Sequence, residues 1–122
     1  MAKCTLIVDD SETVRQVLKP ALGNACYQVV EAEDGFDALS KLSGAQIDML
    51  ITDLNMPNMD GLELIKKVRE EGKHRFTPIV MLTTESSEEK KKASREVRAS
   101  DWIVKPFKPE QLLKVVKMVL GE

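Results

Sequence analysis

The chain has 122 residues, of which 43% are apolar and 31% are charged, and its formal net charge is −2. This length predicts a single domain with a packed core, spanning residues 1–122 without an output domain. The nearly balanced charge argues against nucleic acid or a membrane surface as the main partner, and no apolar run approaches the roughly 20 residues of a membrane span. Because no signal peptide precedes the first apolar run, we expect a cytoplasmic protein, and most simply a monomer.

Cysteine and histidine are too sparse to indicate a transition-metal site. Cys4 and Cys26 lack the spacing of metal ligands, and His74 is the only histidine and lies in a polar stretch. We therefore expect reduced, packed thiols and neither a zinc nor a copper site.

Five short apolar runs recur along the chain, at residues 5–8, 28–30, 49–51, 79–82 and 102–104. Their apolar residues are consecutive rather than alternating, which is typical of strands covered on both faces in a parallel sheet. Residues with helical spacing fill the intervals between them. This regular alternation of strand and helix predicts a doubly wound α/β fold.

The first and third helical segments carry local signals of their own. Pro20 lies inside the first segment, where we expect it to kink or shorten the helix. In the third, Asp60 and Glu63 resemble a capping box that precedes the apolar positions of 62–68.

The last two segments repeat such start signals. Ser86 and Glu89 predict the beginning of a very polar fourth helix over 88–99. Pro109 suits the first turn of the fifth helix, where its missing N–H costs nothing.

Polar residues follow four of the five predicted strands directly. They are Asp9, Asp10, Asp53, Thr83 and Lys105. Because the carboxyl ends of parallel strands lie along one edge of a sheet, where ligands bind, we expect these side chains to share a pocket.

The chemistry of such a pocket points to phosphoryl transfer. Three clustered carboxylates repel one another, and a hard divalent cation such as Mg²⁺, which takes oxygen ligands, relieves that repulsion. One carboxylate then remains free to attack phosphorus, while an ammonium and a hydroxyl hold the phosphoryl oxygens. Each residue taken alone has a simpler structural explanation: Asp10 as a helix cap, Asp53 or Thr83 as a turn residue, and Lys105 as a solvated side chain. All of these explanations would have to be true together, which makes the shared pocket the better interpretation.

Four segments together carry a resemblance to a known family. They are Val8-Asp9-Asp10, residues 53–64, Leu82-Thr83 and Lys105-Pro106-Phe107. In this order and spacing the chain resembles the response-regulator receiver family, particularly its CheY branch, over essentially its whole length. The resemblance implies a flavodoxin-like, five-stranded parallel sheet of order 2-1-3-4-5, flanked by five helices.

The resemblance also implies a role for each residue of the pocket. Asp53 accepts a phosphoryl group from a histidine kinase. Asp10, Asp53 and the backbone carbonyl of Asn55 bind Mg²⁺ directly, and Asp9 acts through water. Lys105 contacts the phosphoryl group, and the peptide bond between Lys105 and Pro106 is cis.

Two further positions form the implied output switch. Thr83 hydrogen-bonds the phosphoryl group and shifts, and the aromatic Trp102 responds by turning inward. Since an indole is larger than the usual phenol or phenyl ring, we expect Trp102 to be outward and partly exposed before phosphorylation. Asn55 and Glu85 match members with fast dephosphorylation, so we expect a phosphoryl lifetime of seconds to minutes.

The sequence departs from the family pattern on the face of the fourth helix, fifth strand and fifth helix, which family members use for partners. The departures are Trp102, Thr84, Arg98 in place of a common Gly, and Lys90-Lys91-Lys92. The lysine run is most simply a solvated face. These changes leave binding to the flagellar motor an open question.

The expected function is therefore that of a stand-alone receiver in a two-component phosphorelay, in chemotaxis or another chemosensory pathway. Such a protein is not an enzyme in its own right, although it promotes its own phosphorylation and dephosphorylation. A phosphate shuttle or sink in a non-motility phosphorelay is the alternative within the family.

Two other classes of protein fit less well. An aspartyl phosphatase needs an acid two residues after its nucleophile, but position 55 is Asn. A flavin-binding electron carrier needs a phosphate loop after the first strand, where Asp9 and Asp10 would repel the phosphate.

Overall fold

The computed structural model describes residues 3–84 and 87–121. Within these residues the strands are β1 (Cys4–Val8), β2 (Gln28–Ala32), β3 (Met49–Asp53), β4 (Ile79–Thr83) and β5 (Asp101–Val104). The α-helices are α1 (Glu12–Asn24), α2 (Gly35–Gly44), α3 (Gly61–Glu70), α4 (Glu88–Glu96) and α5 (Pro109–Leu120), and a short 3₁₀ helix covers Gly72–His74.

The five strands form one parallel sheet of order β2-β1-β3-β4-β5. This order is the one that the family resemblance implies, and each predicted apolar run lies within a strand. Because β3 is the central strand and β1 lies beside it, the chain segments that follow these two strands meet near the middle of the carboxyl edge.

Two apolar cores cover the two faces of the sheet, which explains why the strands are apolar at consecutive positions. On one face, α2 and α3 pack buried residues such as Leu42 and Leu64 against Leu50 and Met81. On the opposite face lie α1 and α5. Their buried residues are Leu18, Leu22, Leu112 and Val116, in a cluster with Ile51 and Val80 of the sheet.

The helix starts follow side-chain capping, although not always at the expected residue. Asp60 caps α3 as expected, because its Oδ1 accepts a hydrogen bond of 2.8 Å from the Glu63 amide. Ser11 rather than Asp10 caps α1, since its Oγ accepts from the Val14 amide at 3.3 Å. Asp10 is therefore not needed as a cap.

Helix α4 is shorter than the sequence pattern indicates. Its N-cap is Ser87, which accepts from the Lys90 amide at 3.2 Å, while Ser86 lies outside the described residues. The helix ends at Glu96 rather than at residue 99, because Arg98 has a left-handed φ of 66° that no α-helix continues through.

The two prolines that lie inside helices, Pro20 and Pro109, behave differently from each other. Helix α1 continues through Pro20 to Asn24, so of the two expected effects, a kink or a shortening, the shortening does not occur. Pro20 lies in the last turns of the helix, where only one backbone hydrogen bond is lost. Pro109 stands in the first turn of α5, as expected.

The cysteines and the histidine are placed partly against expectation. Both thiols are free, but only Cys4 is half-buried, and Cys26 is exposed in the turn before β2, so it is not a packed thiol. His74 is buried despite its polar neighbours in sequence, with Nδ1 3.0 Å from the Thr77 hydroxyl. As far as the structure describes the chain, none of its helices combines the length and apolarity that crossing a membrane requires.

Candidate functional site

The carboxyl edge of the sheet brings the predicted site residues together. Lys105 extends its ammonium between two carboxylates, with Nζ 3.0 Å from Asp9 Oδ2 and 3.2 Å from Asp53 Oδ1. Asp9, Asp10 and Asp53 each offer a carboxylate oxygen, and these three oxygens lie within 4.8 Å of one another. The acidic cluster, as we call these three aspartates, therefore has the compactness of a cation site.

Backbone hydrogen bonds continue the sheet beyond the strand ends and fix where each side chain begins. The Leu54 amide donates to the Leu82 carbonyl at 2.9 Å, and the Lys105 amide donates to the Thr83 carbonyl at 2.7 Å. The peptide bond from Lys105 to Pro106 is cis, as expected. The chain at the site thus has the order of the sheet rather than the freedom of a loop.

Asp9 and Asp10 are adjacent in sequence but differ in their surroundings. Asp9 is 1% exposed, and both of its carboxylate oxygens are engaged, since Oδ1 accepts from the Ser11 amide at 2.9 Å while Oδ2 meets Lys105. Asp10 is exposed. Its carboxylate is consequently the more available of the two to a cation arriving from solvent.

The electrostatics of Asp53 reflect a buried carboxylate beside another one. Burial, together with the negative charge of Asp9, raises the pKa of Asp53, although Lys105 acts in the opposite direction. For Lys105, burial by itself would lower the pKa, but its hydrogen bonds and charge interactions with Asp9 and Asp53 outweigh burial and raise it. The ammonium is therefore charged at neutral pH, and the two carboxylates share a single cation.

The donor set of the acidic cluster fits Mg²⁺. Hard divalent cations prefer oxygen ligands, and three carboxylates balanced by one ammonium leave a net negative charge at the site. Asp10 and Asp53 are placed to hold the cation, with Asp9 behind them. Asn55, whose carbonyl is the remaining expected ligand, is exposed two residues after Asp53.

The switch positions lie in the last two strands, Thr83 at the end of β4 and Trp102 near the beginning of β5. Thr83 is fully buried at the end of β4. Trp102 is half-buried in β5, so its ring is partly exposed as expected, yet its Nε1 is buried and has no hydrogen-bond partner among the described residues. Glu85, the other residue expected to influence dephosphorylation, lies outside the described residues.

Two features of the site were missed by the sequence reasoning. Gly61 approaches the backbone of the acceptor so closely that an added Cβ would lie 2.4 Å from the Asp53 carbonyl oxygen and 3.0 Å from the Leu54 Cα. The only signal available in the sequence was the position of this glycine directly after a helix cap.

The second missed feature is an apolar depression of about 280 Å³ beside Lys105. It lies between the first turns of α1 and the segment after β5. Its lining residues are Thr13, Val14, Val17, Thr84, Lys105, Pro106 and Phe107. No periodicity in the sequence could reveal it, because its two walls are about 90 residues apart in the chain.

Comparisons with known proteins agree with this geometry. The family model of the response regulator receiver domain matches residues 5–117. Chemotaxis protein CheY1 of Helicobacter pylori is 42% identical over 118 residues, which cover 95% of each chain. A chemotaxis protein CheY homolog of Campylobacter jejuni is also 42% identical, over 95% of this chain and 91% of that protein.

A solved structure has the same fold and superposes closely on this chain. Chemotaxis protein CheY4 of Vibrio cholerae superposes with a TM-score of 0.95 and 47% identity, over 98% of this chain and 99% of that one. The sheet order, the acidic cluster and the family match therefore lead to one conclusion: the chain belongs to the response regulator receiver domain family.

Proposed function

We propose that the protein is a phosphorylation switch in which Asp53 accepts a phosphoryl group from a histidine kinase. The observation that carries this proposal is the position of Asp53 Oδ1, which lies 3.2 Å from the Lys105 ammonium within the acidic cluster. A carboxylate in that position is a nucleophile with a cation already beside it.

The transfer consumes only the phosphodonor and one proton from solvent. An Asp53 oxygen attacks the phosphorus of a phosphohistidine, the P–N bond breaks, and an acyl phosphate forms while the imidazole takes up a proton from water. Lys105 offsets charge on the phosphoryl oxygens as the bond forms. When bound by the acidic cluster, Mg²⁺ supplies further charge neutralisation for the same oxygens.

The phosphodonor protein needs a docking surface beside the site. The apolar depression described above supports such contact, because Val17 is 47% exposed at its rim and Lys105 forms part of its wall. A partner seated there would hold its phosphohistidine within reach of Asp53.

The return to the resting state needs only water. A water molecule attacks the acyl phosphate, and inorganic phosphate leaves with Asp53 regenerated. The chain promotes both steps on its own side chain, so we place it among phosphoacceptors rather than among enzymes with a separate substrate.

The signal leaves, in this proposal, through the face of α4, β5 and α5. Trp102 is half-buried in β5, and α4 carries Lys91, which lies 4.0 Å from Glu88, and Lys92, which is exposed. An apolar anchor flanked by lysines favours an acidic partner segment. The similarity to chemotaxis proteins supports a cytoplasmic chemosensory pathway, and a phosphate shuttle or sink remains the alternative.

Labelling with acetyl phosphate tests the acceptor directly. The wild-type chain should gain one phosphoryl group in the presence of Mg²⁺, detected by intact-mass spectrometry, and Asp53→Ala should gain none. Asp37→Ala, which removes a carboxylate on α2 away from the site, should be labelled normally. Labelling of Asp53→Ala at another residue would take the acceptor role away from Asp53.

A further inference from the structure

Arg15 in α1 lies beneath the acidic cluster and contacts its backbone. Its side chain is only 15% exposed, and its Nη1 donates a hydrogen bond of 3.1 Å to the Asp9 carbonyl oxygen. Its Nε faces Glu31 Oε1 in β2 at 3.6 Å. A buried guanidinium thus bridges the strand beside β1 and the point at which β1 ends.

The orientation of the Asp9 carbonyl affects the direction of the chain at Asp10. The Asp9 amide donates to the Ala32 carbonyl at 3.2 Å, which is the last sheet bond on that side. Beyond it, the carbonyl of Asp9 and the amide of Asp10 belong to one rigid peptide plane. A donor that holds this carbonyl therefore sets the direction in which Asp10 leaves the strand.

Glu31 attracts the guanidinium by charge rather than by a hydrogen bond, because the buried Arg15 Nε has no hydrogen-bond partner among the described residues. The second carboxylate oxygen of Glu31 lies 3.4 Å from the exposed Lys19 ammonium, and its backbone carbonyl accepts a 2.7 Å hydrogen bond from Lys41. Both the side chain and the backbone of Glu31 are therefore restrained. A planar guanidinium can meet Glu31 and Asp9 at once, which the single ammonium of a lysine does less well.

We propose that Arg15, supported by Glu31, is a positioning residue that fixes the acidic cluster for cation binding. The inference rests on the proposed function in so far as it concerns Mg²⁺, but Arg15 itself offers no ligand oxygen and does not touch Asp53 in any contact that the structure describes. It acts through the backbone between Asp9 and Asp10.

A positioning role and simple electrostatics predict opposite changes in Mg²⁺ affinity when Arg15 is replaced, so a measurement of that affinity can tell them apart. Arg15 carries a positive charge near the acidic cluster, so removing that charge would by itself strengthen the binding of a cation. Removing the hydrogen bond to the Asp9 carbonyl would instead disorder the carboxylates of the acidic cluster and weaken Mg²⁺ binding.

The test compares Arg15→Met, Glu31→Gln and Lys19→Met. We expect Arg15→Met to weaken Mg²⁺ binding about tenfold, the lower range for residues that orient metal ligands, and Glu31→Gln to weaken it less. Lys19→Met removes the same charge from the same ion-pair partner without touching Asp9, and its Mg²⁺ affinity should stay within about twofold of wild type. Unchanged or tighter binding by Arg15→Met would overturn the proposal.

A second measurement uses the protein without metal. The Ser11 amide donates to Asp9 Oδ1 at 2.9 Å, so its exchange with water reports the order of the cluster in the presence of EDTA. Arg15→Met should exchange faster at Ser11, and an unchanged rate would contradict the positioning role. If Arg15→Met fails to fold, Arg15→Lys replaces it, and wild-type affinity with wild-type exchange in that variant would overturn the proposal equally.

The two measurements also separate this inference from the proposed function. A wild-type chain that binds no Mg²⁺ would count against the function. The Ser11 exchange rate in metal-free protein would still decide whether Arg15 holds the Asp9 backbone.

Discussion

The backbone of Gly61 faces the carbonyl oxygen of Asp53 so closely that a Cβ at position 61 would lie 2.4 Å from that oxygen. The Gly61 amide also donates to the Leu54 carbonyl at 2.8 Å, so the start of α3 is fastened directly to the chain that carries the acceptor. A side chain at this position would push against the backbone of Asp53 and Leu54, which cannot yield as a flexible side chain would.

Gly61→Ala should therefore lower the free energy of unfolding by about 1–3 kcal/mol, the usual cost of overpacking, and slow the labelling of Asp53. Denaturant unfolding and acetyl phosphate labelling measure the two effects. Gly44→Ala is the matched control, because nothing lies within 4 Å of a Cβ there and the substitution should be neutral or slightly stabilising. Equal behaviour of the two variants would contradict the steric role of Gly61.

Asp53→Asn should raise the thermal stability of the metal-free protein. Burial and the Asp9 charge raise the pKa of Asp53 above its unfolded value, so the ionised carboxylate opposes folding. The stabilising effect of its protonation is fully present below the unfolded pKa and is lost as the pH rises through the folded pKa. The stability advantage of Asp53→Asn over wild type should therefore grow as the pH rises.

Thermal unfolding in EDTA from about pH 4 to about pH 7 measures this difference. Saturating Mg²⁺ should reduce or reverse it, because the cation stabilises the wild-type carboxylate. A variant less stable than wild type at neutral pH without metal would show that the ion pair with Lys105 dominates instead.

Asp10→Ala should weaken Mg²⁺ binding more than Asp9→Ala does. Asp10 is exposed to entering cations, whereas both carboxylate oxygens of Asp9 are already engaged by Lys105 and the Ser11 amide. Titration calorimetry compares the affinities, with the fluorescence of Trp102 as a second readout. Equal losses in the two variants would remove the distinction between a direct ligand and one acting through water.

Arg98→Gly should stabilise the protein by about 1 kcal/mol, because a residue with a Cβ at a left-handed φ of 66° carries a conformational cost that glycine avoids. The Arg98 carbonyl would still accept its 2.7 Å hydrogen bond from Arg69. Arg95→Gly, three residues earlier within α4, should instead destabilise by about 1 kcal/mol. Chemical denaturation of both variants checks the opposite signs.

The phosphorylated form should decay within seconds to minutes. Asn55 is exposed beside the acceptor and offers no acidic or bulky group that would exclude water from the acyl phosphate. Removing the phosphodonor and following the loss of the phosphoryl group by mass spectrometry measures the lifetime. A form that survives for hours would show that other residues near the site, such as Thr84, control access.

The sequence by itself determined which segments form the sheet and which residues lie at its carboxyl edge. Short consecutive apolar runs that alternate with helical segments are typical of strands covered on both faces, and the edge of a parallel sheet collects whatever residues follow those strands. Asp9, Asp10, Asp53, Thr83 and Lys105 could therefore be placed together, and the family motifs reinforced that placement. Signals of this kind are local, since each depends only on a strand and the residues directly after it.

What the tertiary structure alone decided concerns contacts between distant segments. The sharing of Lys105 by Asp9 and Asp53, the hold of Arg15 on the Asp9 carbonyl and the approach of Gly61 to Asp53 join residues whose closeness no local pattern encodes. Packing likewise decided that Cys26 is exposed and that His74 is buried. The energies of such contacts depend on distances and burial, and these exist only once the chain has folded.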